Sequence, residues 1–185
     1  MNATLTSTLR VYDEKDGSVP LVDTTDRAEI ARILGEQNII FERWEARAPL
    51  TASSGQDEIT AAYAADIERL KSDYGYTTVD VIRVTKETPN VPVLREKFLN
   101  EHTHTEDEVR FFVEGSASFF LRTGGKVHQA ICTRGDLISV PANTTHWFDM
   151  GPAPEFAAIR LFVNPEGWVA NFTGDEIASR FPKYE

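Results

Sequence analysis

The sequence predicts a mainly β protein, built as a barrel or sandwich of short strands with a few α-helices on its periphery. From about residue 77 onward, short segments rich in β-branched and aromatic residues alternate with glycine-containing turns, as in antiparallel sheets. The segments with helical spacing lie mostly in the N-terminal half of the chain. We therefore expect a single domain over residues 1–185, with its β-core over about 77–164.

Six segments of the β-region have the composition of strands, and a hairpin around Asp16 and Gly17 could add two more to their sheet. Gly115 lies between the second and third segments, where we expect a turn. The six segments are residues 78–85, 110–113, 118–121, 127–132, 137–140 and 156–163.

Two helices are expected before the β-region, and a short one near the C-terminus. The first covers about 26–35, where Asp26 and Glu29 have the spacing of a capping box. The second covers about 57–74, where apolar residues recur at helical spacing until a glycine ends the run. Residues 176–180 are compatible with a short helix.

The composition indicates a cytoplasmic protein that binds neither nucleic acid nor a membrane. The net charge is -10, whereas nucleic acids and anionic membranes require a basic surface. Cys132 is the only cysteine, which excludes an internal disulfide and fits a reducing compartment. The N-terminus lacks the pattern of a signal peptide, and no apolar run approaches the roughly 20 residues of a membrane-spanning helix.

A cluster of possible metal ligands lies in two turn-rich segments. His102 and His104 are two residues apart, so both rings point to one side of an extended chain. A turn after His104 could bring the Glu108 carboxylate to the same point, and the second segment ends in His146. Three imidazoles and a carboxylate suit a borderline divalent metal such as iron, nickel, manganese or zinc. Six-coordination would leave two positions for water or a chelating substrate.

Simpler interpretations exist for each of these histidines. His102 and His104 taken singly are typical surface residues of a turn, and His146 is a typical hydrogen-bonded core residue. The set of four residues is harder to explain in that way. A structural zinc site would typically be closed and rich in sulfur ligands. This cluster does not fit that type, because the one cysteine lies far from it in the sequence.

The spacing of these residues resembles the two-part signature of the cupins, which are jelly-roll β-barrels with a metal site. Asn143 and Met150 depart from the glycine and asparagine that are usual at their positions, but neither residue is a ligand. The resemblance implies a cupin (jelly-roll) β-barrel with peripheral helices. The matching positions are His102, His104, Glu108 and Gly115, and then Gly135, Pro141 and His146.

Within the cupins, the chain resembles the acireductone dioxygenase family. The resemblance is carried by residues 97–115 (KFLNEHTHTEDEVRFFVEG), 141–150 (PANTTHWFDM) and 159–163 (IRLFV), followed by Trp168. It implies a methionine-salvage enzyme that oxidises 1,2-dihydroxy-5-(methylthio)pent-1-en-3-one with O₂. The expected products are formate and 4-methylthio-2-oxobutanoate with iron, and formate, carbon monoxide and 3-methylthiopropanoate with nickel.

The resemblance also implies site roles and cofactors. It implies one Fe²⁺ or Ni²⁺ per chain, held by His102, His104, Glu108 and His146, with no organic cofactor and a monomeric chain. The expected catalytic residues are Arg110, which helps the substrate bind as its dianion, together with Glu101 and Asp107. The expected substrate-binding residues are Arg110, Arg160, Phe98, Phe148 and Trp168.

Strand geometry supports the role of Arg110 independently of the family. Glu108 and Arg110 are two residues apart on one strand and so share its face, whereas Val109, Phe111 and Val113 face the other way. A buried guanidinium needs an anionic partner, which could be a protein carboxylate or the substrate. Arg160 raises the same question in an otherwise apolar strand.

Three further residues that could bind metal or react are expected outside the active site. Glu106 lacks the ligand spacing, His128 is expected at the surface, and Cys132 is expected to be a buried, inert thiol.

Two other functions remain open from the residues alone. One is a different metal-dependent cupin enzyme, such as another dioxygenase or a sugar isomerase, which need not place arginine at positions 110 and 160. The other is a non-catalytic cupin that binds a ligand.

Overall fold

Two antiparallel sheets that face each other form the framework of this protein. The computed structural model describes residues 5–45, 48–164, 166 and 169–185, and eleven strands lie within them. The predicted mainly β class with a few peripheral helices is confirmed. The strands are β1 (Thr8–Asp13), β2 (Val22–Thr24), β3 (Ile40–Arg43), β4 (Thr78–Thr85), β5 (His102–Thr103), β6 (Glu108–Thr123), β7 (Lys126–Thr133), β8 (Asp136–Val140), β9 (Thr145–Asp149), β10 (Glu155–Phe162) and β11 (Asn171–Phe172).

The first sheet has the order β2-β1-β7-β6-β9-β5-β11, and the second has the order β4-β10-β6-β8-β3. Strand β6 therefore belongs to both sheets. The predicted N-terminal hairpin is confirmed, because β1 pairs antiparallel with β2 and joins the first sheet through β7.

Strand β6 crosses from one sheet to the other at Gly115. Before this residue β6 pairs with β8 and β10, and after it with β7 and β9. Gly115 has a φ of 68°, and a Cβ atom there would lie 1.7 Å from the carbonyl oxygen of Glu155. The predicted turn at Gly115 is thus wrong: residues 110–113 and 118–121 belong to one continuous strand. Glycine favours both a turn and a bulged strand, and only the pairing partners distinguish them.

The helices pack around the sheets. They are α1 (Arg27–Gly35), α2 (Gln56–Ala62), α3 (Ala64–Tyr74) and α4 (Val91–Leu99), followed by a 3₁₀ helix over Ile177–Arg180. Helix α1 is confirmed with its cap, since the Asp26 carboxylate accepts hydrogen bonds from the amides of Ala28 and Glu29. None of the helices in the described ranges is long and apolar enough to cross a membrane.

The second predicted helix, over 57–74, is two helices separated by Tyr63. This residue leaves the helical region with φ at -115°, and its ring packs 4.6 Å from that of Phe111 on the outer face of the second sheet. The apolar spacing predicted one continuous helix, but the packing of Tyr63 against the sheet interrupts it. Helix α4 was not predicted, because only Val91 of its residues is fully buried and its apolar face is weak.

The described part of the chain contains three clusters of buried side chains. The first lies between the sheets and includes Phe112, Phe119 and Phe148. The second joins α2 and α3 to the outer face of the second sheet. The third packs the C-terminal segment, through Ile177 and Phe181, against the outer face of the first sheet.

Both residues expected away from the site on β7 are buried. Cys132 lies in the cluster between the sheets, as predicted, and burial raises the pKa of its thiol. His128 was expected at the surface, but it is 2% exposed. It faces Val11 and Leu121 on the neighbouring strands, and its Nδ1 lies 3.3 Å from the Leu121 carbonyl oxygen. The sequence around His128 does not show that its strand lies between β1 and β6.

Gly115→Ala should destabilise the protein by about 3 kcal/mol or more, because it adds strain at a positive φ and a collision with backbone atoms. Gly35→Ala is the matched control, since a Cβ there meets nothing within 4 Å. It should be neutral or stabilise by up to about 1 kcal/mol. Urea unfolding measures both values. Equal stability of the two variants would contradict the role assigned to Gly115.

His128→Gln should reduce the dependence of stability on pH. Burial lowers the pKa of His128 in the folded chain, so below about pH 6.5 the unfolded chain binds the extra proton and stability falls as pH decreases. This group contributes at most about 1.4 kcal/mol per pH unit. Urea unfolding of the metal-free protein at pH 7.5 and 5.5 should show a smaller loss in His128→Gln than in the wild type. An identical loss would show that His128 does not titrate in this way.

Candidate metal centre

The three histidines of the signature meet at one end of the space between the sheets. His102 on β5 is paired across the strands with His146 on β9, and His104 follows just after β5. Each ring offers a nitrogen, and these three atoms all lie within 4.8 Å of one another. The exposed fractions of His102, His104 and His146 are 4%, 7% and 2%.

Backbone carbonyls determine which ring nitrogens face the common point. The Nδ1 atoms of His102 and His146 lie 2.6 and 2.7 Å from the carbonyl oxygens of Asn100 and Thr144. The Nδ1 atom of His104 lies 3.3 Å from the carbonyl oxygen of Val169. A carbonyl accepts only, so each Nδ1 donates to its carbonyl and each Nε2 is directed at the common point. Burial lowers the pKa of His102 to about 4, so this ring is neutral at neutral pH.

Glu108 completes the convergence at the start of β6. Its Oε2 atom lies 2.9 Å from Nε2 of His146 and 3.3 Å from Nε2 of His104. Burial alone would raise the pKa of Glu108, but the charge of Arg110 and hydrogen bonds from His104 and His146 hold it well below its usual range. An ionised carboxylate and the ring nitrogens of the histidines thus converge on one point. A bound metal ion would take the place of the protons between these atoms, and this donor set fits a borderline divalent metal.

Arg110 faces inward, as strand alternation predicted, and its anionic partner is Glu108. It shares the inner face of β6 with Glu108, and its Nε lies 2.8 Å from Oε1 of that carboxylate. Its guanidinium carbon lies 4.5 Å from the centre of the Phe148 ring. The prediction that Val109, Phe111 and Val113 face the other way is confirmed, because all three belong to the outer cluster.

The acidic turn before Glu108 holds neighbouring segments together. Asp107 accepts a hydrogen bond from the amide of Ala142 at 2.9 Å and one from the hydroxyl of Tyr76 at 3.1 Å. The Glu106 carboxylate accepts hydrogen bonds from the amides of Val163 and Asn164, each at 3.0 Å. Asp107 therefore ties the two histidine-bearing segments, and Glu106 ties their turn to the end of β10.

Glu101 is buried directly before His102, with 2% exposed. Its carboxylate accepts a hydrogen bond from Thr173 at 2.8 Å and lies 3.4 Å from the guanidinium of Arg122. These contacts join β5 to the segment that follows β11. Glu101 thus anchors the strand that carries His102.

A cavity of about 480 Å³ opens beside the histidines. Four of the predicted substrate-binding residues line it: Arg110, Arg160, Phe98 and Phe148. The fifth, Trp168, lies outside the described residues. A larger depression of about 800 Å³ lies beside Arg43 and Arg134. The described residues that line it show no comparable convergence of ionisable groups, so we place the site at the smaller cavity.

Sequence reasoning missed five further residues that line this cavity. One of them lies on β4, and the positions of the other four depend on α4 and on the pairing of β11 with β5, neither of which has a clear local pattern. The only sequence signal was their position near the quoted motifs. They are Ile82, Lys97, Val169, Ala170 and Phe172.

The fold and the site together define the class of this protein as a metal-binding cupin. Residues 8–170 match the model of a family described as the ARD/ARD' family. The chain is 55% identical over 177 residues to the acireductone dioxygenase of Parvibaculum lavamentivorans, covering 96% of each chain. It is 56% identical over 179 residues to that of Pseudomonas aeruginosa strain UCBPP-PA14, covering 97% of this chain and 99% of the relative.

A solved structure agrees with these relatives. The acireductone dioxygenase from Bacillus anthracis, solved with a cadmium ion in its active centre, superposes with a TM-score of 0.80 at 31% identity. The match covers 92% of this chain and 100% of that one. The chain belongs to the acireductone dioxygenase family.

Glu108→Gln should weaken binding of Ni²⁺ by more than about tenfold, because glutamine keeps the size of the side chain and removes the charge that faces the imidazoles. Glu106→Gln, two residues away, should change it less than twofold, since Glu106 contacts backbone amides at the end of β10. Calorimetric titration of the metal-free protein measures both. The reverse order of effects would overturn this assignment.

Proposed function

We propose that this chain is an acireductone dioxygenase that oxidises 1,2-dihydroxy-5-(methylthio)pent-1-en-3-one with O₂ in methionine salvage. The products would be formate and 4-methylthio-2-oxobutanoate with iron, or formate, carbon monoxide and 3-methylthiopropanoate with nickel. One observation carries the proposal: three imidazole nitrogens and a carboxylate converge beside a cavity that two arginines line. The family membership supports the choice of reaction.

The proposed metal ligands are His102, His104, Glu108 and His146, holding one Fe²⁺ or Ni²⁺ ion. The mixed nitrogen and oxygen donors support this choice, and the same donors accept either metal. When bound, the metal supplies Lewis-acid chemistry and a template for an enediolate. Since the Nδ1 atoms are held by backbone carbonyls, the three rings are oriented before any ion arrives.

Arg110 is proposed to stabilise the substrate as its dianion. It is 7% exposed, so its positive charge acts through little solvent on a molecule in the cavity. A cation so placed lowers the free energy of the deprotonated enediol relative to the neutral one. Arg160 lines the same cavity and is proposed to position the substrate oxygens.

The apolar wall of the cavity is proposed to hold the methylthio tail. The rings of Phe98 and Phe148 meet edge to face with their centres 6.1 Å apart, which gives that wall a fixed shape. Trp168 is proposed for the same wall from its family position. Because these rings exclude water from the cavity, the electrostatic interactions of the arginines with the substrate would be stronger.

Glu101 and Asp107 are proposed to act through structure. Asp107 links the two metal-binding segments and would transmit a displacement of one to the other. Glu101 would assist metal incorporation by anchoring the strand of His102. We further propose a monomeric cytoplasmic enzyme that needs no organic cofactor, nucleic acid or membrane.

The iron-loaded protein, mixed anaerobically with acireductone and then exposed to O₂, should yield formate and the keto acid. The nickel-loaded protein should yield carbon monoxide as well as formate. Product analysis by chromatography and gas detection distinguishes the two. Oxygen uptake no faster than the uncatalysed rate with either metal would exclude the proposed function.

Arg110→Ala should lower kcat/KM by about 100-fold or more, because a buried charge that stabilises the reacting anion is removed. Arg32→Ala is the control, since Arg32 is 60% exposed and pairs with Glu36 on α1. It should leave kcat/KM within twofold. Steady-state kinetics with metal analysis tests this. A full loss of metal in Arg110→Ala would instead indicate that Arg110 mainly supports Glu108.

A further inference from the structure

Three charged residues form a row across the inner face of the second sheet. Asp80 on β4 is paired with Arg160 on β10, and Arg160 is paired in turn with Arg110 on β6. The two arginines thus occupy directly opposed positions on neighbouring strands. Like charges so placed repel each other, and burial strengthens the repulsion.

Each arginine of the row is held by its own carboxylate. Arg160 donates from Nε to Oδ1 of Asp80 at 2.8 Å and from Nη2 to Oδ2 at 2.5 Å. Two parallel hydrogen bonds of this kind fix the plane of a guanidinium as well as its position. Arg110 is held by Glu108 at 2.8 Å. The difference is that Glu108 also faces the histidines, whereas Asp80 lies behind Arg160 and does not line the cavity.

We propose that Asp80 is a positioning residue for substrate binding, which holds the Arg160 guanidinium against the repulsion of Arg110 so that both cations face the two oxygens of an enediolate. This inference rests on the proposed function. It explains why a carboxylate lies close to a site that binds an anion. Without the carboxylate, Arg160 would turn away from Arg110 into the more open part of the cavity.

The alternative is that Asp80 acts only as a negative charge. The two possibilities predict opposite signs for the affinity of the substrate. If Asp80 were only a charge, its removal would strengthen binding of an anion, since one source of repulsion would be lost. If Asp80 positions Arg160, its removal weakens binding, and the weakening depends on Arg160.

The chain offers a matched control on the same sheet. Arg83 on β4 pairs with Glu114 on β6, with side-chain exposures of 32% and 28%. These values are close to the 27% and 30% of Arg160 and Asp80. Ala157, which lies between Arg83 and Glu114 in the pairing register, belongs to the outer cluster, so this ion pair is on the face away from the cavity.

The test is anaerobic titration of the nickel-loaded protein with acireductone, combined with KM and thermal unfolding. Asp80→Asn should raise the Kd and KM about tenfold. Asp80→Glu should raise them at least threefold, because it keeps the charge but moves the carboxylate by one methylene. In the Arg160→Gln background, Asp80→Asn should add less than a twofold change. Glu114→Gln should lower Tm without changing the Kd more than twofold.

The proposal is overturned if Asp80→Asn leaves the Kd unchanged or lowers it. It is also overturned if the effect of Asp80→Asn is the same with and without Arg160, or if Asp80→Glu binds like the wild type. Asp80→Glu and Arg160→Gln keep the test decisive if Asp80→Asn fails to fold. A wild-type protein that neither binds nor turns over acireductone would instead refute the proposed function.

Discussion

The site depends on one constraint: the Glu108 carboxylate and the ring nitrogens of three histidines are held close together inside a buried space. Glu108 lies 2.9 Å from the Nε2 atom of His146, and the backbone carbonyl that accepts from Nδ1 keeps the Nε2 atom directed at the carboxylate. These nitrogen and oxygen donors fit a divalent cation, so the folded chain is prepared for one. The bend of β6 at Gly115, the tie made by Asp107 and the anchor at Glu101 all serve to hold this arrangement.

The positive charges of the cavity follow from the same constraint. A chain with a net charge of -10 repels anions at a distance, so binding of an anionic substrate relies on charges close to it. Arg110 lies against Glu108 on the inner face of β6, and the pairing of β10 with β6 places Arg160 beside it. The sheet register that builds the core therefore also determines how many cations line the cavity.

Much of the site could be predicted because its signals are local. The alternation of a strand placed Arg110 beside Glu108, and the two-residue spacing of His102 and His104 put their rings on one side. What failed depends on partners distant in sequence. Tyr63 interrupts a helical pattern because it packs on Phe111, and His128 is buried because β1 and β6 flank its strand. The ion pair of Asp80 with Arg160 follows only from the register of β4 and β10, which no local pattern reveals.

A crystal structure of the nickel-loaded protein, with the ion located by anomalous scattering, would show whether these four side chains are the metal ligands. We expect one ion bonded to the Nε2 atoms of His102, His104 and His146 and to a carboxylate oxygen of Glu108, while each Nδ1 stays against its carbonyl. An ion bound elsewhere, or one bonded to fewer than three of these imidazoles, would contradict it.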